Sequence, residues 1–121
     1  MKKILIIDDS PFMTQMFSLR LHSEGFEPLI AGEGETGLKI AAIDAPDIIL
    51  LDIAMPKIDG WEVLKRLKAD EKTKHIPALI LTNSRGTSDD YAKAKDLGAA
   101  EYLMKIESPV DDIIKVIKKY V

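Results

Sequence analysis

Five short apolar runs, separated by longer segments with helical periodicity, constrain this chain more than any other feature of its sequence. The runs are Lys3–Ile7, Phe26–Ile30, Asp47–Leu51, Ala78–Leu81 and Glu101–Met104. Three of them are continuously aliphatic, which is typical of strands that are covered on both faces. Such strands belong to a parallel sheet with helices on both sides, so the sequence predicts an α/β fold.

The segments between the runs carry the start and stop signals of helices. The first helix is predicted to have Ser10 as its N-cap and Pro11 at its first position, where a missing backbone N–H costs nothing. Four further helices are predicted from about Glu35 to Asp44, after Asp59-Gly60, from about Thr87–Asp90 to Leu97-Gly98, and after Ser108-Pro109.

Two of the runs have features of edge strands. Pro28 lies inside the second run and cannot donate a hydrogen bond to a central ladder. Glu101 and Tyr102 make the fifth run the least apolar. With these two strands at the edges, the predicted order is 2-1-3-4-5, a common order of doubly wound sheets. The first and third strands are then neighbours at the switch point of the topology, where such sheets bind ligands.

The composition excludes several classes of function. The 121 residues suit one domain, and the absence of Cys excludes thiol catalysis, disulfides and Cys-based metal sites. A net charge of −3, from 17 basic and 20 acidic residues, does not favour direct binding of nucleic acid. The sequence shows no membrane span and no signal peptide. We therefore expect one cytoplasmic domain, residues 1–121.

Polar residues follow four of the runs, at the predicted carboxyl ends of the strands. They are Asp8 and Asp9, then Asp52, Thr82 and Lys105. Carboxylates at neighbouring strand ends should lie close together, and two unit charges about 4 Å apart repel by roughly 4 kcal/mol at an effective dielectric constant of 20. Oxygen ligands without Cys or His favour a hard cation, so the pattern indicates a site for Mg²⁺ or Mn²⁺.

A phosphoryl-transfer site accounts for this set of residues. The ammonium of Lys105 and the hydroxyl of Thr82 suit phosphoryl oxygens, and a carboxylate can act as nucleophile by forming an aspartyl phosphate. Asp52 is the best candidate because it stands alone, which leaves Asp8 and Asp9 for the metal. Taken singly, each residue also has a structural interpretation as a cap, loop acid, strand residue or solvated lysine. Only the occurrence of all five residues together favours a phosphoryl-transfer site.

The motifs "DD", "LLDIAMPKIDG", "LILTNS" and "EYLMK", in this order, resemble those of the receiver domain of bacterial two-component response regulators. The likeness is to stand-alone receivers of the chemotaxis type. It implies a flavodoxin-like (βα)5 doubly wound parallel sheet. It also implies a phosphoprotein of a signal-transduction phosphorelay, in which Asp52 takes a phosphoryl group from a sensor histidine kinase or a phosphotransfer protein.

The resemblance also implies a metal site. Asp9 would bind Mg²⁺ directly, together with Asp52 and the main-chain carbonyl of Ala54. Asp8 would act mostly through a metal-bound water.

The resemblance further implies a switch. Thr82 and Lys105 would contact the phosphoryl oxygens, and Tyr102 would change rotamer as Thr82 moves. The face formed by residues 88–120 would then bind a downstream target protein, with the chain acting as a monomer or a phosphorylation-dependent dimer. Such a protein assists its own phosphorylation and dephosphorylation and is not an enzyme acting on an external substrate.

The chain departs from the family pattern at two positions. Lys105 is followed by Ile106 where the family commonly has Pro, and Asn83 follows Thr82 where a small residue is usual. These departures leave open the loop geometry after Lys105 and the lifetime of the phosphate.

Three other functions fit the sequence less well. A haloacid-dehalogenase-like phosphatase would need a second Asp at position 54, which is Ala54, and a cap domain. An FMN binder would need a phosphate loop rich in Ser, Thr and Gly in place of "DDSPFM". A protein-interaction module working without phosphorylation would not need the intact acidic site. The sequence leaves open the cognate kinase, the target, the pathway, and whether the chain is a fragment of a larger regulator.

Overall fold

Strands and helices alternate through the part of the chain that the structure describes. The computed structural model covers residues 1–82, 88–104 and 110–121. Its strands are β1 (Lys3–Ile7), β2 (Glu27–Ala31), β3 (Ile48–Leu51), β4 (Ala78–Thr82) and β5 (Glu101–Met104). Its helices are α1 (Pro11–Ser23), α2 (Gly34–Asp44), α3 (Gly60–Ala69), α4 (Ser88–Asp96) and α5 (Val110–Tyr120).

The five strands form one parallel sheet in the order β2-β1-β3-β4-β5, which confirms the predicted flavodoxin-like topology. β2, which contains Pro28, lies at one edge, and β5 lies at the other. In the centre, Ile7 of β1 pairs with Leu51 of β3. The residues that follow them, Asp8 and Asp52, therefore leave the sheet side by side.

The predicted bounds of three strands are wrong by one residue. β2 begins at Glu27 rather than at Phe26, because the Phe26 N–H donates to Leu21 O at 3.0 Å and so belongs to the turn after α1. β3 begins at Ile48, because the Asp47 carboxylate accepts the Lys3 N–H at 2.8 Å. β4 continues to Thr82, one residue beyond the prediction.

Two apolar layers cover the sheet, one on each face. On one face, buried residues of α2, α3 and α4 such as Ala41, Leu64 and Ala94 pack against the sheet. On the other face, α1 and α5 contribute buried residues such as Phe17 and Ile117. This arrangement explains the continuous aliphatic runs, because side chains on both faces of β1, β3 and β4 lie in the core.

The helix starts follow the capping chemistry that the sequence indicates. The Ser10 hydroxyl accepts the Met13 N–H at 3.3 Å, which confirms the predicted N-cap of α1. The Asp59 carboxylate accepts the Glu62 N–H at 3.0 Å and caps α3 in the same way. These caps set where the loops after β1 and β3 end, and both loops adjoin the acidic residues.

Among the described residues, no helix is both long enough and apolar enough to cross a membrane.

Candidate functional site

Three carboxylates converge where β1 and β3 end. One carboxylate oxygen each from Asp8, Asp9 and Asp52 lies within 4.8 Å of the other two. Asp8 is 4% exposed and Asp52 is 7% exposed, whereas Asp9 is open to solvent. The cluster therefore has two buried acids at its base and one at its mouth. Only oxygen donors are present, and this donor set fits a hard divalent cation such as Mg²⁺.

Backbone hydrogen bonds hold the two buried acids in place. The Asp52 N–H donates to Ile7 O at 2.9 Å, and the Asp8 N–H donates to Ala31 O at 3.0 Å, so both residues prolong the ladders of the sheet. The Asp8 Oδ1 atom accepts the Ser10 N–H at 3.0 Å. The positions of both acids are thus set by the sheet and by the start of α1.

The start of α3 packs directly against the main chain of Asp52. A Cβ atom on Gly60 would lie 2.3 Å from Asp52 O and 2.7 Å from the Cα atom of Ile53. The Gly60 N–H donates to Ile53 O at 2.8 Å and closes the loop. Because the neighbouring atoms are backbone, they cannot rotate away as a side chain could. The Asp59-Gly60 pair was interpreted only as a helix start, and this positioning role was missed.

The loop between β3 and α3 carries the other proposed metal-binding group. Ala54 lies exposed in this loop, two residues after Asp52. Lys57 adopts a φ of 69°, in the left-handed region that is uncommon for residues other than glycine. Its ammonium lies 3.0 Å from the Glu33 carboxylate, at the start of α2. This ion pair links the loop to the neighbouring loop after β2.

Of the two residues predicted to contact phosphoryl oxygens, one lies in the described part of the chain. Thr82 is 1% exposed at the end of β4, the strand beside β3. Leu51 pairs with Ile80, so Thr82 lies at the same edge of the sheet as Asp52. Lys105 lies outside the described residues, as does Asn83.

Tyr102 of β5 lies among aromatic side chains from two helices. Its ring centroid is 6.4 Å from that of Trp61 on α3, with an interplanar angle of 22°, and 4.6 Å from that of Tyr91 on α4. Burial, together with the negative charge of Asp90 and the proximity of Tyr91, raises the pKa of Tyr102 above its usual value. These contacts were missed, because nothing in the sequence connects three aromatics so far apart.

A family model and a solved structure both match nearly the whole chain. Residues 4–118 match the model of the response regulator receiver domain. Chemotaxis protein CheY4 of Vibrio cholerae has a similar structure, with a TM-score of 0.92 and 29% identity, covering 100% of this chain and 99% of that chain.

Two curated relatives differ in how much of their length the chain covers. Response regulator PleD of Caulobacter vibrioides is 38% identical over 112 residues, which cover 93% of this chain and 24% of PleD. Protein PilH of Pseudomonas aeruginosa is 38% identical over 114 residues, which cover 93% of this chain and 89% of PilH. The chain thus spans only about a quarter of the length of PleD.

Proposed function

The chain belongs to the response regulator receiver domain family, and from that premise we propose that it is one receiver domain, residues 1–121, that switches when Asp52 is phosphorylated. Receiver domains are signalling switches rather than turnover enzymes. The observation that carries the proposal is the convergence of Asp8, Asp9 and Asp52 within 4.8 Å at adjacent strand ends.

Asp52 is the proposed phosphoacceptor. A carboxylate oxygen of Asp52 attacks the phosphorus atom of a phosphohistidine on a sensor histidine kinase or a phosphotransfer protein. The new bond is O–P, the P–N bond breaks, and the donor imidazole leaves with the electron pair. The transfer needs mainly positioning and charge neutralisation. The main chain of Asp52 is hydrogen-bonded to Ile7 O and packs on Gly60, which supports the positioning of its carboxylate.

The acidic residues are proposed to bind the metal in different ways. Asp9, Asp52 and the main-chain carbonyl of Ala54 would hold Mg²⁺ or Mn²⁺. Asp8, one of whose oxygens accepts the Ser10 N–H, would act mostly through a metal-bound water. When bound, the cation supplies positive charge that offsets the carboxylates and the incoming phosphoryl oxygens.

Thr82, Lys105 and Tyr102 are the residues proposed to respond to phosphorylation of Asp52. The hydroxyl of Thr82 and the ammonium of Lys105 would contact phosphoryl oxygens, and phosphorylation adds about −1.5 to −2 charges beside them. Tyr102 would change rotamer as Thr82 moves. The face of residues 88–120 would then bind a downstream protein, as a monomer or a phosphorylation-dependent dimer. A donor of this class implies a cytoplasmic location.

Intact-mass measurement after incubation with acetyl phosphate and Mg²⁺ tests the acceptor. The chain should gain one phosphoryl group, the Asp52→Asn variant none, and the Asp9→Asn variant very little. Asp44→Asn is the matched control, because Asp44 ends α2 and is exposed, and this variant should be phosphorylated like the wild type.

Two outcomes would contradict the proposal. Phosphorylation of Asp52→Asn at the wild-type rate would place the acceptor elsewhere. No mass gain from acetyl phosphate or a phosphorylated kinase, together with no Mg²⁺ binding, would favour the interaction module that works without phosphorylation.

A further inference from the structure

A groove between α3 and α4 lies apart from the acidic cluster. It has a volume of about 500 Å³, within the range of ligand-binding clefts. Ile58, Trp61 and Leu97 form its apolar floor, and Lys57, Lys65 and Lys93 are among its polar lining residues. Below, this feature is called the α3–α4 groove.

The acidic side chains that line the α3–α4 groove already have partners in the chain. The Asp59 carboxylate accepts the Glu62 N–H at 3.0 Å as the cap of α3. The Glu62 carboxylate accepts from Arg66 Nε at 2.8 Å. Both acids are therefore engaged with groups of α3, and three lysines against two acids give the lining residues a net positive charge.

Among the described residues, two of the three lysines have no acidic partner. Lys57 pairs with Glu33 at 3.0 Å. Within residues 1–82, 88–104 and 110–121, no carboxylate lies within 4.0 Å of the ammonium of Lys65 or Lys93, and both residues are exposed.

Lys93 is held over the floor of the groove by an aromatic contact. Its Nζ atom lies 4.6 Å from the centroid of the Trp61 ring, a cation–π geometry that costs little solvation of the ammonium. An apolar floor with a cation above it is matched by a ligand that offers an apolar group and a carboxylate side by side. A simple inorganic anion would leave the floor uncovered.

We propose that the α3–α4 groove binds an acidic protein segment that carries a large apolar side chain. The apolar side chain packs on Ile58, Leu97 and the edge of the Trp61 ring, and flanking Asp or Glu carboxylates pair with Lys65 and Lys93. Nucleic acid is a poorer match, because it would bring a row of closely spaced phosphates into a groove whose lining includes two carboxylates beside the lysines. Lys93 and Leu97 also belong to the face of residues 88–120, but this binding needs no phosphoryl group on Asp52, so it can be tested apart from the proposed switch.

Trp61 makes the proposal directly measurable, because it is the only Trp of the 121 residues. The probe is a pool of synthetic heptapeptides built from Asp and Glu around one central Leu or Phe. Titration up to about 1 mM, the weak end of specific affinities, should change Trp61 fluorescence. A pool with Lys in place of the acids, and one with Ser in place of Leu or Phe, should not change it.

Charge reversal at the two lysines is the decisive variant. Lys65→Glu/Lys93→Glu should weaken binding of the acidic pool by about tenfold or more, as expected for charges that contact the ligand. Lys39→Glu/Lys72→Glu carries the same charge change on α2 and in the turn after α3, where both lysines are exposed, and should bind within about twofold of the wild type. Asp52→Asn should bind like the wild type, whatever the outcome of the phosphorylation test.

Three results would overturn the proposal. One is the absence of any Trp61 response to the acidic pool up to about 1 mM. Another is equal weakening by the two double variants, which would indicate general charge attraction. The third is equally tight binding of a single-stranded oligonucleotide in the groove, which would assign it to polyanions rather than to acidic protein segments.

Discussion

β3 precedes Asp52, the proposed phosphoacceptor, and β5 contains Tyr102, the proposed switch residue. The two strands are packed differently. Every residue of β3, Ile48–Leu51, is at most 1% exposed. In β5, Glu101, Tyr102 and Leu103 are half-buried, and only Met104 is buried. Elements with fewer buried contacts open or rearrange at lower free energy. The proposed acceptor Asp52 thus follows a strand that is held from both faces, whereas Tyr102 lies on a strand with fewer buried contacts.

The surroundings of these two residues extend the contrast. The main chain of Asp52 is in contact with that of α3 at Gly60, with no intervening side chain. Tyr102 contacts Trp61 and Tyr91 through its ring, stacked with the first at 22° and tilted by 58° against the second. The proposed phosphoacceptor is thereby positioned by backbone, and the proposed switch residue is positioned by side chains.

Truncation of one leucine in each strand tests whether β3 contributes more to stability than β5. Leu50→Ala in β3 removes a side chain that is 1% exposed and should lower the free energy of unfolding by about 2–5 kcal/mol. Leu103→Ala in β5 removes a half-buried side chain and should cost less than half as much. Urea denaturation measures both. Equal losses would mean that the edge strand is held as firmly as the central one.

The backbone contact at Asp52 should be sensitive to a single methyl group. Gly60→Ala places a Cβ atom against Asp52 O and Ile53 Cα, so α3 or the acceptor must move. We expect a loss of about 1–3 kcal/mol, the usual cost of overpacking, and a lower rate of phosphorylation by acetyl phosphate.

Gly32→Ala is the control for this substitution, because a Cβ atom there would meet nothing within 4 Å. It should change stability by less than about 0.5 kcal/mol. Wild-type phosphorylation of Gly60→Ala would show that the α3 contact does not position Asp52.

Mg²⁺ should stabilise the chain through the acidic end of the sheet. Binding at a hundred times the dissociation constant contributes about 2.7 kcal/mol to the free energy of unfolding. Asp9→Asn should lose most of this increment. Without the metal, the same variant should be more stable than the wild type by about 1 kcal/mol or less, because one repelling carboxylate is removed. Thermal unfolding with and without Mg²⁺ measures both effects.

Asp96→Asn provides the comparison, since Asp96 is exposed at the end of α4. It should keep the full Mg²⁺ response. A response of Asp9→Asn equal to that of Asp96→Asn would place the cation outside the acidic cluster.

The smallest expected effect concerns the attachment of α5 to β5. The Tyr120 hydroxyl donates to the Glu101 carboxylate at 2.6 Å, and this hydrogen bond, followed by burial, raises the pKa of Tyr120. Tyr120→Phe should lower the free energy of unfolding near neutral pH by about 0.5–1.5 kcal/mol, the net contribution of one hydrogen bond.

The raised pKa also sets a pH dependence. Below pH about 10, the ordinary pKa of tyrosine, the phenol is protonated in both the folded and the unfolded chain, and the contribution of the bond is complete. Above that pH the unfolded chain releases its proton first, so stability falls until the pH passes the raised folded pKa. Tyr120→Phe should reduce this fall without abolishing it, because the pKa of Tyr102 is raised as well. An unchanged slope in alkaline urea titrations would exclude Tyr120 as a contributor.

Much of the fold could be predicted from the sequence, because strands that are buried on both faces have continuous runs of aliphatic residues. Continuous aliphatic runs marked β1, β3 and β4, and Pro28 placed β2 at an edge, as the structure confirms. The exact strand ends were less predictable. Phe26 is as apolar as a strand residue, but it packs beneath α1 and donates its N–H to the turn.

The candidate site was predictable in part for the same reason. Asp8, Asp9 and Asp52 follow adjacent strands, so strand order alone brings their carboxylates together. The assigned roles of Asp52, Thr82, Tyr102, Ala54 and Lys105 remain predictions. The close approach of Gly60 to Asp52 was not predictable, because it depends on how α3 returns to the sheet.

The α/β class, the strand order and the meeting of three acids at one edge depend on periodicity and on which residues end each strand, so they can be read from the sequence. The contacts among α3, α4 and β5 depend instead on how the elements pack in three dimensions. The ring contacts of Tyr102 with Trp61 and Tyr91, and the position of Lys93 over Trp61, join residues from separate elements. Their meeting depends on the angle and depth at which each helix packs, which the volumes of many core side chains set together.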